Sequence, residues 1–189
     1  MSYLDWVKLD FVLAVLLTVL FPLTLLFLSF HEKNLLSRLL AYWRVSALLA
    51  ISVYLLMGEN SVGLLTGVAA RILIPPVLWL GDGLMQSGQP LADRSSVQYR
   101  LFRGWRFAVT GYCVAGVLFT LPLLPCGLSG YVTEGCASWF VPAQIFGSLL
   151  HDHKTWQTLS EYALVALGIY ALYLLHAIYK LTAIRKTSV

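Results

Sequence analysis

The chain has 189 residues, of which 59% are hydrophobic and 12% charged, and its formal net charge is +4 at pH 7. Its mean hydropathy is +0.76. A soluble domain is about half apolar and about a quarter charged, so this composition excludes a water-soluble fold and intrinsic disorder. Because the apolar residues form blocks of near-bilayer length, the sequence predicts a single all-α domain, 1–189. It is a polytopic membrane protein with about five transmembrane helices.

The first half of the chain contains three predicted spans. An apolar block covers residues 9–30, close to the roughly 20 residues that a helix needs to cross a bilayer, and Pro22 within it predicts a kink. A signal peptide is the alternative, but the segment before this block has little positive charge and no small-residue cleavage site follows it. Helices over 39–57 and 62–80 come next, and the short turn around Gly58 forces them to be antiparallel.

The second half contains two more predicted spans. Residues 81–103 are polar and rich in turn signals, which predicts a surface loop before a fourth helix over 105–124. Residues 125–158 are interrupted by proline and glycine, so we expect an outer loop that does not cross the membrane. A short helix over 138–150 would make this loop partly interfacial. The fifth helix covers 159–180 and leads into a basic tail.

The distribution of lysine and arginine predicts the orientation in the membrane. Five spans put the termini on opposite sides, and the N-terminal side carries only Lys8 and Lys154. The other side carries Lys33, Arg38, Arg94, Arg100, Arg103, Arg106, Lys180, Arg185 and Lys186. The positive-inside rule therefore places the N-terminus in the lumen or periplasm and the C-terminus in the cytoplasm. This topology accounts for the basic charge without a nucleic-acid partner.

Tryptophans agree with this orientation, since aromatic side chains collect at both membrane interfaces. The cytoplasmic boundary would hold Trp43, Trp79 and Trp105, and the outer boundary Trp6, Trp139 and Trp156. Small residues predict close helix packing, which we assign first to the bundle, with another subunit as the alternative. They form one face on the third helix and one on the fourth: Gly63, Gly67 and Ala70, and Ala108, Gly111 and Ala115.

Arg71 lies about halfway along the third predicted helix, where an unpaired arginine costs at least a few kcal/mol, roughly. We expect no carboxylate at that depth, because the nearest acidic residues fall near helix ends: Asp10, Glu59, Asp82 and Glu161. Two explanations stay open. Pro75 and Pro76 release the carbonyls of Arg71 and Ile72, which, with nearby hydroxyls, would bind the guanidinium within the chain. Alternatively, the guanidinium binds a partner subunit, a lipid phosphate or a cofactor anion.

Other arginines are candidates for partner or lipid binding. Arg100, Arg103 and Arg106 recur every three residues, so a helix places them on one basic face. Such a face suits either anionic lipid headgroups or an acidic patch on another protein, and the sequence leaves both open. Arg44 lies one turn inside the second helix, within reach of a headgroup phosphate, and Arg94 adds a further charge to the basic loop.

Cysteine and histidine residues supply the remaining candidates. Cys126 and Cys136 both fall in the predicted outer loop, where the compartment permits a structural disulfide. Their spacing differs from the Cys-x-x-Cys of redox-active pairs. His176, in the last turns of the fifth helix, is the candidate ligand for a pigment or haem iron, with hydrogen bonding to headgroups as the alternative. His151 and His153 are too few for a metal site, so no metal and no catalytic residue is predicted.

Three stretches carry a resemblance to known sequences: residues 42–58, 69–76 and 105–113, which contain Arg44, Arg71 and Arg106. They resemble a family of uncharacterised multispanning membrane proteins found in cyanobacteria. The resemblance covers the second to the fourth predicted helices. It implies a thylakoid or plasma membrane location and an association with photosynthesis, with chlorophyll or carotenoid as candidate cofactors. It brings no catalytic residues.

These observations favour a non-enzymatic accessory subunit or assembly factor of a larger membrane complex, such as a photosystem. The chain is nearly all membrane, has no sizeable soluble domain and carries a basic cytoplasmic face. The alternative is a transporter or channel component in which Arg71 forms an anion site on a proline-broken helix. A lipid-modifying enzyme has less support, because the sequence brings no cluster of His, Asp and Glu to one depth.

Overall fold

The computed structural model describes residues 2–29, 33–84, 97–130, 133–150 and 155–187, and within them the structure is helical without a β-strand. The helices are α1 (Tyr3–Leu28), α2 (Lys33–Met57), α3 (Val62–Leu84), α4 (Val97–Ser129, with a 3₁₀ turn at Leu121–Leu123), α5 (Glu134–Ala137), α6 (Phe140–Leu150) and α7 (Trp156–Thr187). Five of these, α1 to α4 and α7, are long and apolar enough to cross a membrane. The protein is therefore an all-α polytopic membrane protein, as predicted.

Four of the five spanning helices begin earlier than predicted. α1 starts at Tyr3 and not at residue 9, because Ser2 and Asp5 form a capping box. The backbone N–H of Ser2 donates to the Asp5 carboxylate at 2.7 Å, and the Asp5 N–H donates to Ser2 Oγ at 3.3 Å. α4 starts at Val97, so the predicted loop over 81–103 is helical at both ends; residues 85–96 lie outside the described residues. A helix continues through such polar turns because it satisfies its own backbone groups.

The predicted disturbance at Pro22 takes the form of a π-helical stretch in α1, Val15–Leu20. Proline has no N–H, so it releases the carbonyl of Thr18, four residues earlier. The hydrogen bond that ends the π-helical stretch runs from a backbone N–H to the carbonyl five residues earlier, and not to the one four residues earlier. The carbonyl of Leu17 therefore also loses its donor within the helix. Two buried backbone oxygens therefore need donors from outside α1.

Side chains from two other helices supply these donors. The Tyr42 hydroxyl donates to the Thr18 carbonyl at 2.6 Å, and Trp105 Nε1 donates to the Leu17 carbonyl at 2.7 Å. The irregular stretch thus joins α1 to α2 and α4. Trp105 is only 3% exposed, so its prediction as an interfacial belt residue is wrong. Its indole satisfies a buried carbonyl instead.

The antiparallel pair α2 and α3 lies at the centre of the bundle; α4 packs on α3, α7 on α2, and α1 against α4 and α6. Buried apolar side chains form two clusters. One lies at the end of the bundle that contains Cys126 and Cys136, called here the disulfide end. The other lies at the opposite end, near Arg38, Arg103 and Arg106, called here the arginine end.

Close packing at the disulfide end depends on the chain between α4 and α7. Cys126 and Cys136 are joined by a disulfide, with their Cα atoms 6.6 Å apart. Gly130, at φ 70°, ends α4 in the left-handed conformation that glycine adopts without strain. Trp139 was predicted at the outer boundary, but it is buried, and its Nε1 donates to the Tyr3 hydroxyl at 3.0 Å.

The two predicted small-residue faces differ in outcome. On α3, a Cβ added at Gly63 would lie 2.8 Å from Leu56 Cγ, and one at Gly67 would lie 3.0 Å from Ser52 Oγ. That face therefore packs tightly against α2. On α4, the residues of the predicted face are exposed, and a Cβ added at Gly111 would have no neighbour within 4 Å among the described residues: Ala108, Gly111 and Ala115. This part of the prediction is wrong, because periodicity does not specify which side of a helix meets a neighbour.

Candidate functional site

Arg71 forms a buried ion pair that the sequence analysis did not predict. Its side chain is 6% exposed, and its Nη2 donates to the carboxylate of Asp10 on α1. The expectation that no carboxylate reaches this depth is wrong, because the helix begins at Tyr3 and not at residue 9. Asp10 therefore lies about 10 Å from the start of α1, about two turns inside it. The capping-box pattern of Ser2 and Asp5 is the sequence signal that predicts this start.

Further groups from α4 complete the surroundings of the guanidinium. Arg71 Nη2 also donates to the Tyr112 hydroxyl at 2.9 Å, and Nη1 donates to the Gly116 carbonyl at 3.2 Å. The Tyr112 hydroxyl in turn donates to the backbone carbonyl of Asp10 at 3.2 Å. The rings of Tyr112 and Trp139 lie 5.4 and 5.7 Å from Arg71 Cζ, within the range of cation–π attraction. We call these five residues the Arg71 cluster.

Gly116 makes room for this arrangement. A Cβ at this position would lie 3.0 Å from Cζ, Nε and Nη1 of Arg71, closer than ordinary contact. Any larger residue would displace the guanidinium or α4. The sequence analysis missed both Gly116 and Tyr112, because only the packing of α4 on α3 selects them from the other small and aromatic residues of that helix.

Binding of Arg71 by the carbonyls that Pro75 and Pro76 release was one of two explanations, but the hydrogen-bond partners found for the guanidinium lie on α1 and α4. Helical side chains point back toward the helix N-terminus, whereas carbonyls point toward the C-terminus. The guanidinium therefore extends away from the oxygens of its own turn. The cluster has no net charge and joins three spanning helices through one side chain.

A second group of arginines lies in a cleft of about 230 Å³ at the arginine end. The described residues that line it come from α2, α3 and α4 and are all basic or aromatic: Arg38, Trp79, Tyr99, Phe102, Arg103, Arg106 and Phe107. The guanidinium of Arg106 lies 3.8 Å from the centre of a Trp79 ring. Trp79 Nε1 donates to Thr110 Oγ1 at 3.0 Å, which fixes the indole below the guanidinium. We call this site the arginine cleft.

The arginine cleft brings together only some of the predicted binding residues. Arg103 and Arg106 line it, whereas Arg100 is exposed on the same helix outside the lining. Arg44 is exposed on α2, also outside the cleft, and Arg94 lies outside the described residues. Arg38 was counted only for membrane orientation in the sequence analysis. Its place beside α4 depends on how α2 packs, which sequence spacing does not specify.

His176, the predicted pigment ligand, is exposed on α7. Within the described residues, no three His, Cys, Asp or Glu side chains come together as metal ligands. His151 and His153 lie outside the described residues.

The fold and these two sites define a helical integral membrane protein with a buried ion pair and a basic cleft. The chain belongs to the family described as "Protein of unknown function (DUF3177)", which matches residues 5–186. Comparison with curated proteins and with solved structures found no match. The prediction of an uncharacterised multispanning family is confirmed in this respect, and its cyanobacterial origin stays a prediction.

Proposed function

We propose that this protein is a non-enzymatic accessory subunit or assembly factor that docks on a larger membrane complex through the arginine cleft. The observation that carries this proposal is the convergence of Arg38, Arg103 and Arg106 from two helices in one cleft, beside the ring of Trp79. A cleft that concentrates guanidinium groups favours a partner that presents anionic groups.

The shape and composition of the cleft favour an acidic protein segment over general lipid anchoring. Scattered basic residues are sufficient to attract an anionic membrane surface. Here the arginines share a defined cleft with aromatic side chains, and Arg, Trp and Tyr are the residues most enriched at interaction hot spots. Stacking of Arg106 on Trp79 also fixes the guanidinium in advance, which reduces the entropy lost on binding.

The exposure of α7 supports a docking role within the membrane. Only 11% of the membrane-spanning segment of α7 is buried in the protein, against 44% of the corresponding segments of α2 and α3. Apolar side chains along one face of α7 are therefore available to another subunit: Val165, Ile169 and Leu172. Helices of a partner complex would pack on such a surface through van der Waals contact.

We further propose that the arginine end faces the cytoplasm and the disulfide end the lumen or periplasm. The concentration of arginine at one end follows the positive-inside rule, and a disulfide is favoured in an oxidising compartment. The resemblance to cyanobacterial sequences suggests a complex of the thylakoid or plasma membrane as the partner. A photosystem is the first candidate to test. The transporter alternative loses support because Asp10 neutralises Arg71, its proposed anion site.

Affinity purification in mild detergent tests the docking proposal. We expect the wild type to retain a large complex in fixed stoichiometry, identified by mass spectrometry. Arg38→Gln/Arg103→Gln should reduce this retention at least about tenfold, as expected if one charge-assisted hydrogen bond of about 1.5–3 kcal/mol is lost. The matched control, Arg44→Gln/Arg100→Gln, removes two exposed arginines outside the cleft and should retain the complex.

Other outcomes would contradict docking through the cleft, assign the cleft to lipid or reveal a bound pigment. Recovery of the wild type alone, or an equal loss in both double variants, would contradict docking through the cleft. Flotation with anionic vesicles that is lost only in the cleft variant would assign the cleft to lipid. An absorbance spectrum of the purified complex tests for chlorophyll or carotenoid, and a spectrum changed by His176→Leu would assign that histidine to the pigment.

A further inference from the structure

A cavity of about 510 Å³ lies between α1 and the pair α2 and α3, with Pro142 and Phe146 of α6 at the disulfide end. This volume is within the range of about 300–1,000 Å³ that is typical of small-molecule sites. Most of its walls are apolar, for example Phe11, Val15, Leu49, Val53, Leu64 and Val68. The occupant must therefore present mainly apolar surface.

The exposed lining residues show where this cavity opens. Val19 of α1 and Ala47 and Ala50 of α2 line the cavity and are exposed, which marks its opening between these two helices. They lie in the middle of their spanning helices, and the two alanines leave a gap that larger side chains would fill. The mouth thus faces the hydrocarbon of the bilayer, which admits a lipid-soluble molecule from the side.

Two buried hydrogen-bond donors on the cavity wall have no acceptor within the part of the chain that the structure describes. These donors are Nε of Arg71 and Nε1 of Trp43, and both side chains line the cavity. The neighbouring hydroxyls donate to other groups: Ser46 donates to the Trp43 carbonyl at 3.2 Å, and Ser52 to the Gly63 carbonyl at 2.6 Å. An occupant that carries an acceptor oxygen would therefore satisfy donors that the described walls leave unsatisfied.

The charges around the cavity indicate whether the acceptor oxygen of the occupant belongs to a charged or a neutral head group. Asp10 lines the cavity beside Arg71, so an anionic head group would meet a carboxylate and a cationic one would meet a guanidinium. A neutral carbonyl avoids both repulsions and accepts from buried N–H groups. We propose that this cavity binds a long-chain, lipid-soluble ester or ketone, which enters from the bilayer between α1 and α2.

Photolabelling of the purified, detergent-solubilised protein tests this proposal independently of any partner complex. The probe is methyl palmitate with a diazirine in its chain, and labelled peptides are mapped by mass spectrometry. We expect labels on cavity-lining residues of α1 and α2. Ala47→Phe/Ala50→Phe narrows the mouth and should lower cavity labelling at least about fivefold, since it blocks entry to a site built for an apolar chain.

Ala108→Phe/Ala115→Phe is the matched control, because it adds the same bulk to exposed positions of α4 outside the cavity. Thermal unfolding of both variants checks that the bundle is intact. Labels spread evenly over all spanning helices, or cavity labelling equal in both variants, would overturn the proposal.

Competition identifies the head group and the source of the ligand. Unlabelled methyl palmitate should compete, whereas the palmitate anion should require about tenfold more, because its carboxylate meets Asp10. Equal competition by the ester and the anion would overturn the neutral-carbonyl assignment. Competition by phosphatidylcholine would identify a bilayer glycerolipid as the source of the ester, and its failure would identify a free single-chain molecule.

Discussion

Arg71 and the arginine cleft place the same side chain in opposite surroundings. Arg71 is buried in the middle of the bundle, where Asp10 balances its charge and Tyr112 fixes it. In the cleft, by contrast, Arg38, Arg103 and Arg106 line one space at the end of the bundle. Both Nη atoms of Arg71 donate to groups of neighbouring helices, whereas the cleft brings three guanidinium groups into one space.

The difference indicates how each site is used. A buried charge without a partner is very costly, so the residues around Arg71 must be held together in the folded state. The cluster is therefore expected to stabilise the bundle. Charges at the end of the bundle depend less on partners within the chain, because water and headgroups solvate them. Substitutions in the cleft should therefore affect binding more than folding.

The largest effect should come from Asp10→Leu, which leaves the Arg71 guanidinium buried without its counter-ion. We expect a loss of about 3–5 kcal/mol in the free energy of unfolding. Denaturant titration in detergent, followed by circular dichroism, measures it. Glu161→Leu is the matched control, because Glu161 is exposed on α7, and should stay within about 0.5 kcal/mol of wild type.

Asp10→Leu/Arg71→Leu distinguishes an ion-pair effect from a packing effect. Replacing both charges by apolar side chains removes the unpaired charge, and buried pairs replaced in this way often lose little stability. The double variant should therefore be more stable than Asp10→Leu alone. If the two losses simply add, the pairing of these residues does not contribute to stability.

The next effect should come from Gly116→Ala. The added Cβ would lie 3.0 Å from the guanidinium of Arg71, so either the ion pair or α4 must move, at a cost of about 1–3 kcal/mol. Gly111→Ala, in the same helix but with open space around the added Cβ, should be neutral or stabilising by about 0.5–1 kcal/mol. The same destabilisation in both variants would show that contact with Arg71 is not responsible. Thermal unfolding of the two proteins side by side makes this comparison.

A smaller effect is expected for Tyr112→Phe. This substitution removes the hydroxyl that links Arg71 Nη2 to the backbone of Asp10, while the ring over the guanidinium remains. Loss of these two hydrogen bonds corresponds to about 1–2 kcal/mol. Tyr162→Phe, on the exposed side of α7, serves as the control for removing a hydroxyl. An unchanged midpoint of unfolding for Tyr112→Phe would exclude the hydroxyl from the energetics of the cluster.

The smallest effect on stability is expected in the cleft itself. Trp79→Leu removes the ring below Arg106 and the hydrogen bond to Thr110, at about 0.5–1 kcal/mol for an exposed cation–π pair. Trp6→Leu, at an exposed indole of α1, is the comparison. Complex retention, measured in the same preparations, should fall clearly for Trp79→Leu only. A large loss of stability with unchanged retention would instead give the cleft a structural role.

Prediction from the sequence succeeded where length and hydropathy decide the outcome. Five spans follow from apolar blocks of bilayer length, since a spanning segment must satisfy its backbone groups internally. Helix starts were less accurate, because a helix begins at its cap and not at its first apolar residue. The six extra residues at the start of α1 are what carry Asp10 to the depth of Arg71.

Burial of Arg71 at mid-span and the need for compensation around it were evident from its position in an apolar helix. The identity of its partners was not, because Asp10, Tyr112 and Gly116 lie 61, 41 and 45 residues away along the chain. Only the packing of α1 and α4 against α3 selects them. The same holds for Trp105, which bonds a carbonyl of α1 and does not lie in an interfacial belt.

The amino-acid sequence by itself determined the class of this protein, its five spans and the concentration of arginine at one end. These properties depend on the hydropathy and charge of short segments, which the surroundings do not alter. The tertiary structure decided which groups meet: the ion pair with Asp10, the arginines that share a cleft, and the cavity between α1 and α2. Such contacts depend on the rotation and relative depth of each helix, and a shift of one residue turns a side chain by about 100° around the axis.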